Sequence, residues 1–112
     1  MSASALKDRL RADLKAAMRE RKAGTVSLIR TLIAAIDNAE AQPIEGFAER
    51  LRQREAIGEV GRRELDTAAL DALLASEACS RLATAEAYER HGRGDDAARL
   101  RREAELIAGY RA

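Results

Sequence analysis

Residues 25–42 read TVSLIRTLIAAIDNAEAQ, and their spacing decides the fold. Val26, Ile29, Leu32, Ile33 and Ile36 recur at the three- and four-residue intervals of one helical face, and Leu28 widens that face. This is the most apolar stretch of the chain, so the spacing predicts a helix at the centre of a core. Thr25 is the expected cap. Asp37, Asn38 and Glu40 make the last turns polar, and Pro43, the only proline, is expected to end the element. A single cation, Arg30, flanks the apolar face, where it can bury its stem and keep its guanidinium in water or on a carboxylate.

Working outward, Leu6, Leu10, Leu14 and Met18 recur every four residues with Ala17 beside them, predicting a first helix from about Ser4, its cap, to Lys22. Its basic last turn suits the helix dipole, and Gly24 is the expected stop. Residues 44–65 place Ile44, Phe47 and Leu51 at helical spacing, with Gly58 and Gly61 marking a connector. Asp66 reads as the cap of a third helix, whose inner face is Leu70, Leu73, Leu74, Leu82, Ala85 and Tyr88. After the turn GRGD, with Asp95 as the next cap, a last helix buries Leu100, Ala104, Ile107 and Tyr110. Short connections between long helices make antiparallel neighbours. The expectation is a single all-α domain over residues 1–112, an up-and-down bundle of four main helices with an extra short helix between helices 2 and 3.

The chain has 112 residues, 46% apolar and 35% charged, with 3% aromatics, which suits a helical globular domain. Its net charge of +1 predicts neither nucleic-acid nor membrane binding by the molecule as a whole. Charge is uneven, however. Residues 1–22 carry seven cations against three anions, and residues 65–91 carry two cations against five anions. Two amphipathic helices of opposite bias packing near each other would explain this; a basic recognition face is the alternative. One cysteine, Cys79, cannot form an internal disulfide and fits a reducing compartment. No apolar run approaches the roughly 18 residues of a membrane span, and no signal-peptide core is visible, so a cytoplasmic protein without membrane contact is expected.

Residues that carry chemistry are sparse. The only histidine, His91, falls at a helix end, where it reads as a surface partner of the dipole. Cys79 reads as a small packing residue. One His and one Cys cannot build a zinc site without several carboxylates, Glu-x-x-His is absent, and there is no phosphate loop or dinucleotide fingerprint. No catalytic residue, metal or cofactor is expected. For RNA, Lys7, Arg11, Lys15 and Lys22 lie on the polar side of helix 1 at spacings that could follow a phosphate track. Stacking surface is lacking, because Phe47, Tyr88 and Tyr110 all read as core. A basic helix can still grip folded RNA by its backbone.

Taken together, LKDRLRADLKAAMRERKAGTVSLIRTLIAAIDNAEAQ (residues 6–42) resembles the opening of the GatB/YqeY family. Asp13, Leu14, Lys15, Ala17 and Met18 match its first helix, and Arg30, Leu32, Ala35, Ile36, Asn38 and Glu40 match its second. RRELD, residues 62–66, resembles the lead-in to the family's third helix. In EAYERHGRGDDAARLRREAELIAGY (residues 86–110), Gly92, Arg93, Glu105 and Tyr110 match the segment in which a Gly-Arg turn leads into the last helix. Family members usually continue past the tyrosine with Leu-Pro and a smaller helical tail domain. By that comparison the chain corresponds to the first helical domain and lacks the tail.

The resemblance implies an all-helical fold and a link to glutamine-dependent carbon–nitrogen ligases. In such amidotransferases the glutaminase and nucleotide chemistry reside in larger subunits or domains. It also suggests a role for Arg30: a bridge to a carboxylate on a neighbouring helix, Glu105 or Glu86. The alternative is that Arg30, Asn38 and Glu40 line a polar surface for a partner. The leading expectation is a non-catalytic accessory or adaptor connected with tRNA-dependent amidation or translation, with tRNA or amidotransferase subunits as partners. The other is an interaction module that binds a protein or itself, with no RNA involved.

Overall fold

The computed structural model describes residues 1–41 and 65–111. Within them the chain forms four helices, α1 (Ala3–Arg19), α2 (Ala23–Ala41), α3 (Thr67–Arg90) and α4 (Gly94–Ala108), and no strand. The short helix expected between helices 2 and 3, and the expected stop at Pro43, lie outside the described residues.

Two tight connections create two antiparallel hairpins, and they share one geometry. At the end of α1 the Lys22 N–H donates to the Ala17 carbonyl (3.0 Å) and the Arg21 N–H to that of Met18 (3.2 Å). At the end of α3 the Arg93 N–H donates to Tyr88 (2.8 Å) and the Gly92 N–H to Glu89 (3.1 Å). These paired bonds close a Schellman turn, which needs a left-handed residue just past the helix. Gly92 fills that position at φ 74°, and Arg21 fills the other at φ 56°.

The helix starts differ from several expectations. The α1 cap is Ser2, whose hydroxyl accepts from the Ala5 N–H at 3.0 Å, so the helix begins before Ser4. It stops at Arg19 because the left-handed Arg21 turns the chain there. That brings Gly24 and Thr25 inside α2 instead of making them stop and cap. Asp66 caps α3 as expected, accepting from the Ala69 N–H at 2.7 Å. Asp95 does not cap α4. Arg93 holds the cap position without a side-chain bond, while Asp95 and Asp96 lie in the first turn, where their charge favours the positive end of the dipole.

All four helices contribute to the main core. Leu6, Leu10, Leu32, Ile36, Leu74 and Ile107 are its fully buried large side chains, each worth about 1.5–3 kcal/mol of burial. Ala3, Leu28, Ile29, Leu65, Leu70 and Tyr110 complete it, so α2 does lie at the centre. A second, smaller cluster of Ala85, Ala97 and Leu100, with Tyr88 against it, joins the far halves of α3 and α4.

Two leucine-type expectations fail for one reason. Met18 (52% exposed) and Leu82 (47%) face solvent, whereas Ala17 and Ala85 take the buried positions. A four-residue step overshoots the 3.6-residue turn by about 40°. Met18, three such steps from Leu6, is about 120° off the face, while Ala17 stays on it. Likewise Ala85 keeps the register of Leu74 and Leu82 does not. Cys79 is also exposed on α3, not packed.

The two Schellman turns carry different residues at the left-handed position, arginine in one and glycine in the other, so opposite substitutions there should act oppositely. Arg21→Gly relieves the left-handed penalty and should stabilise by about 0.5–1 kcal/mol. Gly92→Ala should destabilise by about 1 kcal/mol through backbone strain alone, because a Cβ there would meet nothing within 4 Å. Urea midpoints moving apart at constant m-value would verify both; shifts of the same sign would refute this account.

Candidate functional site

The groups that could carry chemistry or recognition fall into three places: a cleft at the end of α4, a charged seam between α1 and α2, and the exposed cationic side of α1.

The cleft is bordered by Arg9, Asp13, Thr25, Arg102, Glu105 and Tyr110. The Tyr110 ring belongs to the main core, so its hydroxyl must find a partner, and it donates to Asp13 Oδ2 of α1. The Arg9 guanidinium lies over the same ring, 4.6 Å from its centroid, and donates to the Gly109 carbonyl at 3.3 Å. Burial, with the Asp13 carboxylate second, pushes the tyrosine well above its usual range. The next residue, Arg111, makes a two-pronged bond to Asp71 of α3 at 2.9 and 3.0 Å. The end of the chain's fourth helix is therefore tied to both α1 and α3. Sequence reasoning placed Tyr110 in the core and missed both of these ties. The one available signal was that a buried tyrosine hydroxyl requires a partner.

The seam holds two of the expected site residues against each other. Lys7 Nζ lies 2.7 Å from Glu40 Oε1 and 3.2 Å from Asp37 Oδ1, with the Lys7 and Glu40 side chains only 14% and 12% exposed. The hydrogen bond to Glu40 does most to raise the lysine pKa, against the opposing effect of its burial. Lys7 thus serves the α1–α2 interface. Lys22 is exposed and pairs with Glu20 at 3.2 Å, and Arg11 is exposed with Asp8 at 3.4 Å. Lys15, Arg30 and Asn38 are exposed.

Arg30 makes no bridge to Glu105 or Glu86, and no ion pair with any carboxylate among the described residues. It stands seven residues before Asp37, on the same side of α2 and about two turns back. It therefore faces the outer rim beside α1, while Glu105 borders the cleft on α4. The oppositely biased helices α1 and α3 do enter one core, but among the described residues no ion pair joins them. The acidic helix pairs largely with α4, through Arg81 between Glu77 (2.9 Å) and Glu103 (3.3 Å) and through Glu89 with Arg101.

Among the described residues no group of three or more His, Cys, Asp or Glu could hold a metal, and no helix is long and apolar enough to cross a membrane. His91 is the exposed C-cap of α3.

A family model described as Yqey-like protein matches residues 7–111. The chain belongs to that family. No curated protein matches it. Several residues of the YqeY-like pattern now have physical roles. Asp13 and Tyr110 bond to each other across 97 positions. Gly92 supplies the left-handed turn, and Arg93 stacks on Tyr88 at 4.8 Å while pairing with Asp96 at 2.7 Å. Glu40 closes on Lys7. Arg30, Lys15 and Asn38 instead point outward.

The clasp should be measurable. Tyr110→Phe is expected to lose about 1–2 kcal/mol, and a double-mutant cycle with Asp13→Asn should show coupling of about 1 kcal/mol, read by urea unfolding. Independent effects would refute the bond. Tyr110 and Lys7 both have raised pKa values in the folded state. Their stabilisation is complete below the unfolded values of about 10 and is lost as pH rises further. Stability should therefore fall above about pH 10, less steeply in Tyr110→Phe. Equal steepness would remove Tyr110 from this account.

Proposed function

We propose that this YqeY-like domain is a non-catalytic accessory that binds rather than transforms, a cytoplasmic adaptor associated with tRNA-dependent amidation or translation. One observation carries the reading. The polar groups that meet across helices (Tyr110 with Asp13, Lys7 with Glu40, Arg81 with Glu103) hold the fold, while exposed cations that pair with no carboxylate among the described residues remain on the outer side of α1 and α2. A group already bonded within the scaffold is poorly placed to act on a substrate, whereas an exposed, unneutralised cation favours an anionic partner. The link to amidation comes from the family resemblance of residues 6–42 and 86–110.

Affinity capture of the tagged protein from its own lysate at low salt tests this reading, with bound RNA sequenced and bound proteins identified. Enrichment of tRNA or of amidotransferase subunits is expected. A protein partner unconnected with amidation or translation, without RNA, would replace it with the interaction-module reading, and recovery of neither would overturn it.

A further inference from the structure

We propose that Arg11, Lys15, Arg19 and Arg30 form one edge that grips a phosphodiester backbone without reading its bases. This rests on the binding role argued above and assigns it a surface and a ligand chemistry.

The edge follows from the α1–α2 seam. Lys7 meets Asp37 and Glu40, which fixes how the two antiparallel helices sit against each other. Lys15 lies eight residues beyond Lys7 on α1, and Arg30 lies seven residues before Asp37 on α2. Each step is about two turns, and in antiparallel helices both lead toward the same end of the seam. Arg30 is thereby brought level with Lys15 along the hairpin, both turned to solvent. Arg11, Lys15 and Arg19 follow one another at four-residue intervals, about 6 Å of helix each, comparable to the interval between successive phosphates. All four are exposed.

Their neighbours sharpen the chemistry. The side chains of Lys15, Arg19 and Arg30 make no ion pair or hydrogen bond among the described residues. Arg11 has only a 3.4 Å contact with Asp8, both side chains more than half exposed, which a phosphate could replace at little cost. At one end, Asp37 and Glu40 beside Lys7 limit the edge with negative charge. Like charges this close repel each other in the free protein, so a polyanion relieves a strain already present. Among the described residues the edge carries no aromatic ring on which a base could stack. Tyr88 and Tyr110 are both covered by arginines elsewhere in the fold, at 4.8 and 4.6 Å. Contacts to phosphate alone position a nucleic acid and carry no sequence information.

Equilibrium binding of the full chain to a fluorescent tRNA transcript between about 50 and 200 mM salt tests the edge. The wild-type plot of log K against log salt should have a slope of about −3 to −4, from roughly four neutralised phosphates. Lys15→Gln and Arg30→Gln should each reduce the slope by about 1, with unchanged melting temperature. Arg90→Gln, on the far end of α3, should leave it alone. An unrelated folded RNA of equal length should compete equally.

Binding with the wild-type slope retained in both edge variants would overturn this assignment and leave the adaptor reading standing. A strong preference for one RNA sequence would overturn the backbone-only chemistry. No RNA binding at the lowest salt, with an acidic protein captured through the same cations, would overturn the ligand class while keeping the adaptor. If nothing binds in either experiment, both proposals fail.

Discussion

The bond between Tyr110 and Asp13 joins two halves that are otherwise encoded separately. Each hairpin has its own Schellman turn and its own interhelical contacts, so each is specified largely by nearby sequence. The hairpins meet in the shared core, where Leu70 and Leu74 pack with the leucines of α1 and α2, and at the end of α4, where Ile107 and Tyr110 enter beside them. An apolar core alone tolerates sliding and rotation, because burial is not directional. A hydroxyl and a carboxylate must meet at one position. Arg9 over the same ring and Arg111 on Asp71 fix the orientation from two further sides. Hydrogen bonds of this type set geometry more than they add stability.

The fold was legible because helical period survives in a single sequence. The face of Leu28, Ile29, Leu32 and Ile36, the cap at Asp66 and the burial of Leu100, Ala104, Ile107 and Tyr110 all follow from spacing and local chemistry. The errors were local too. A strict four-residue repeat drew attention to Met18 and Leu82, where volume suggested a core and rotation denies it. A left-handed arginine at position 21 is uncommon enough that Gly24 offered the more natural stop.

The site was far less legible. No periodicity announces that Asp13 will meet Tyr110, or that Lys7 will lie between Asp37 and Glu40, because such pairs depend on how hairpins and helices sit against one another. Lys7, Arg11 and Lys15 look alike in sequence, each four residues apart on one polar side. Their environments nevertheless diverge, since successive four-residue steps carry them around the helix from the seam to open solvent.

That same rotation separates structure from recognition along one helix. At Lys7 the side chain is close enough to α2 to lose part of its hydration, and the hydrogen bonds to Glu40 and Asp37 more than offset that loss. Two turns later, at Lys15, the backbone has the same form and the residue type is the same, but the side chain is exposed and, like that of Arg30 on α2, has no ion pair among the described residues. A scaffold built for helix packing alone would gain by placing an acid at either position, since opposite charges across a seam attract and like charges repel. On α2 no acid precedes Asp37, while Arg11, Lys15 and Arg19 continue along α1. The charge pattern of α1 and α2 thus changes along the hairpin from self-complementary at Lys7 to unpaired at its exposed cations. An unsatisfied cationic edge on a rigid helix pair is a surface on which an anionic partner can be held with little loss of conformational freedom.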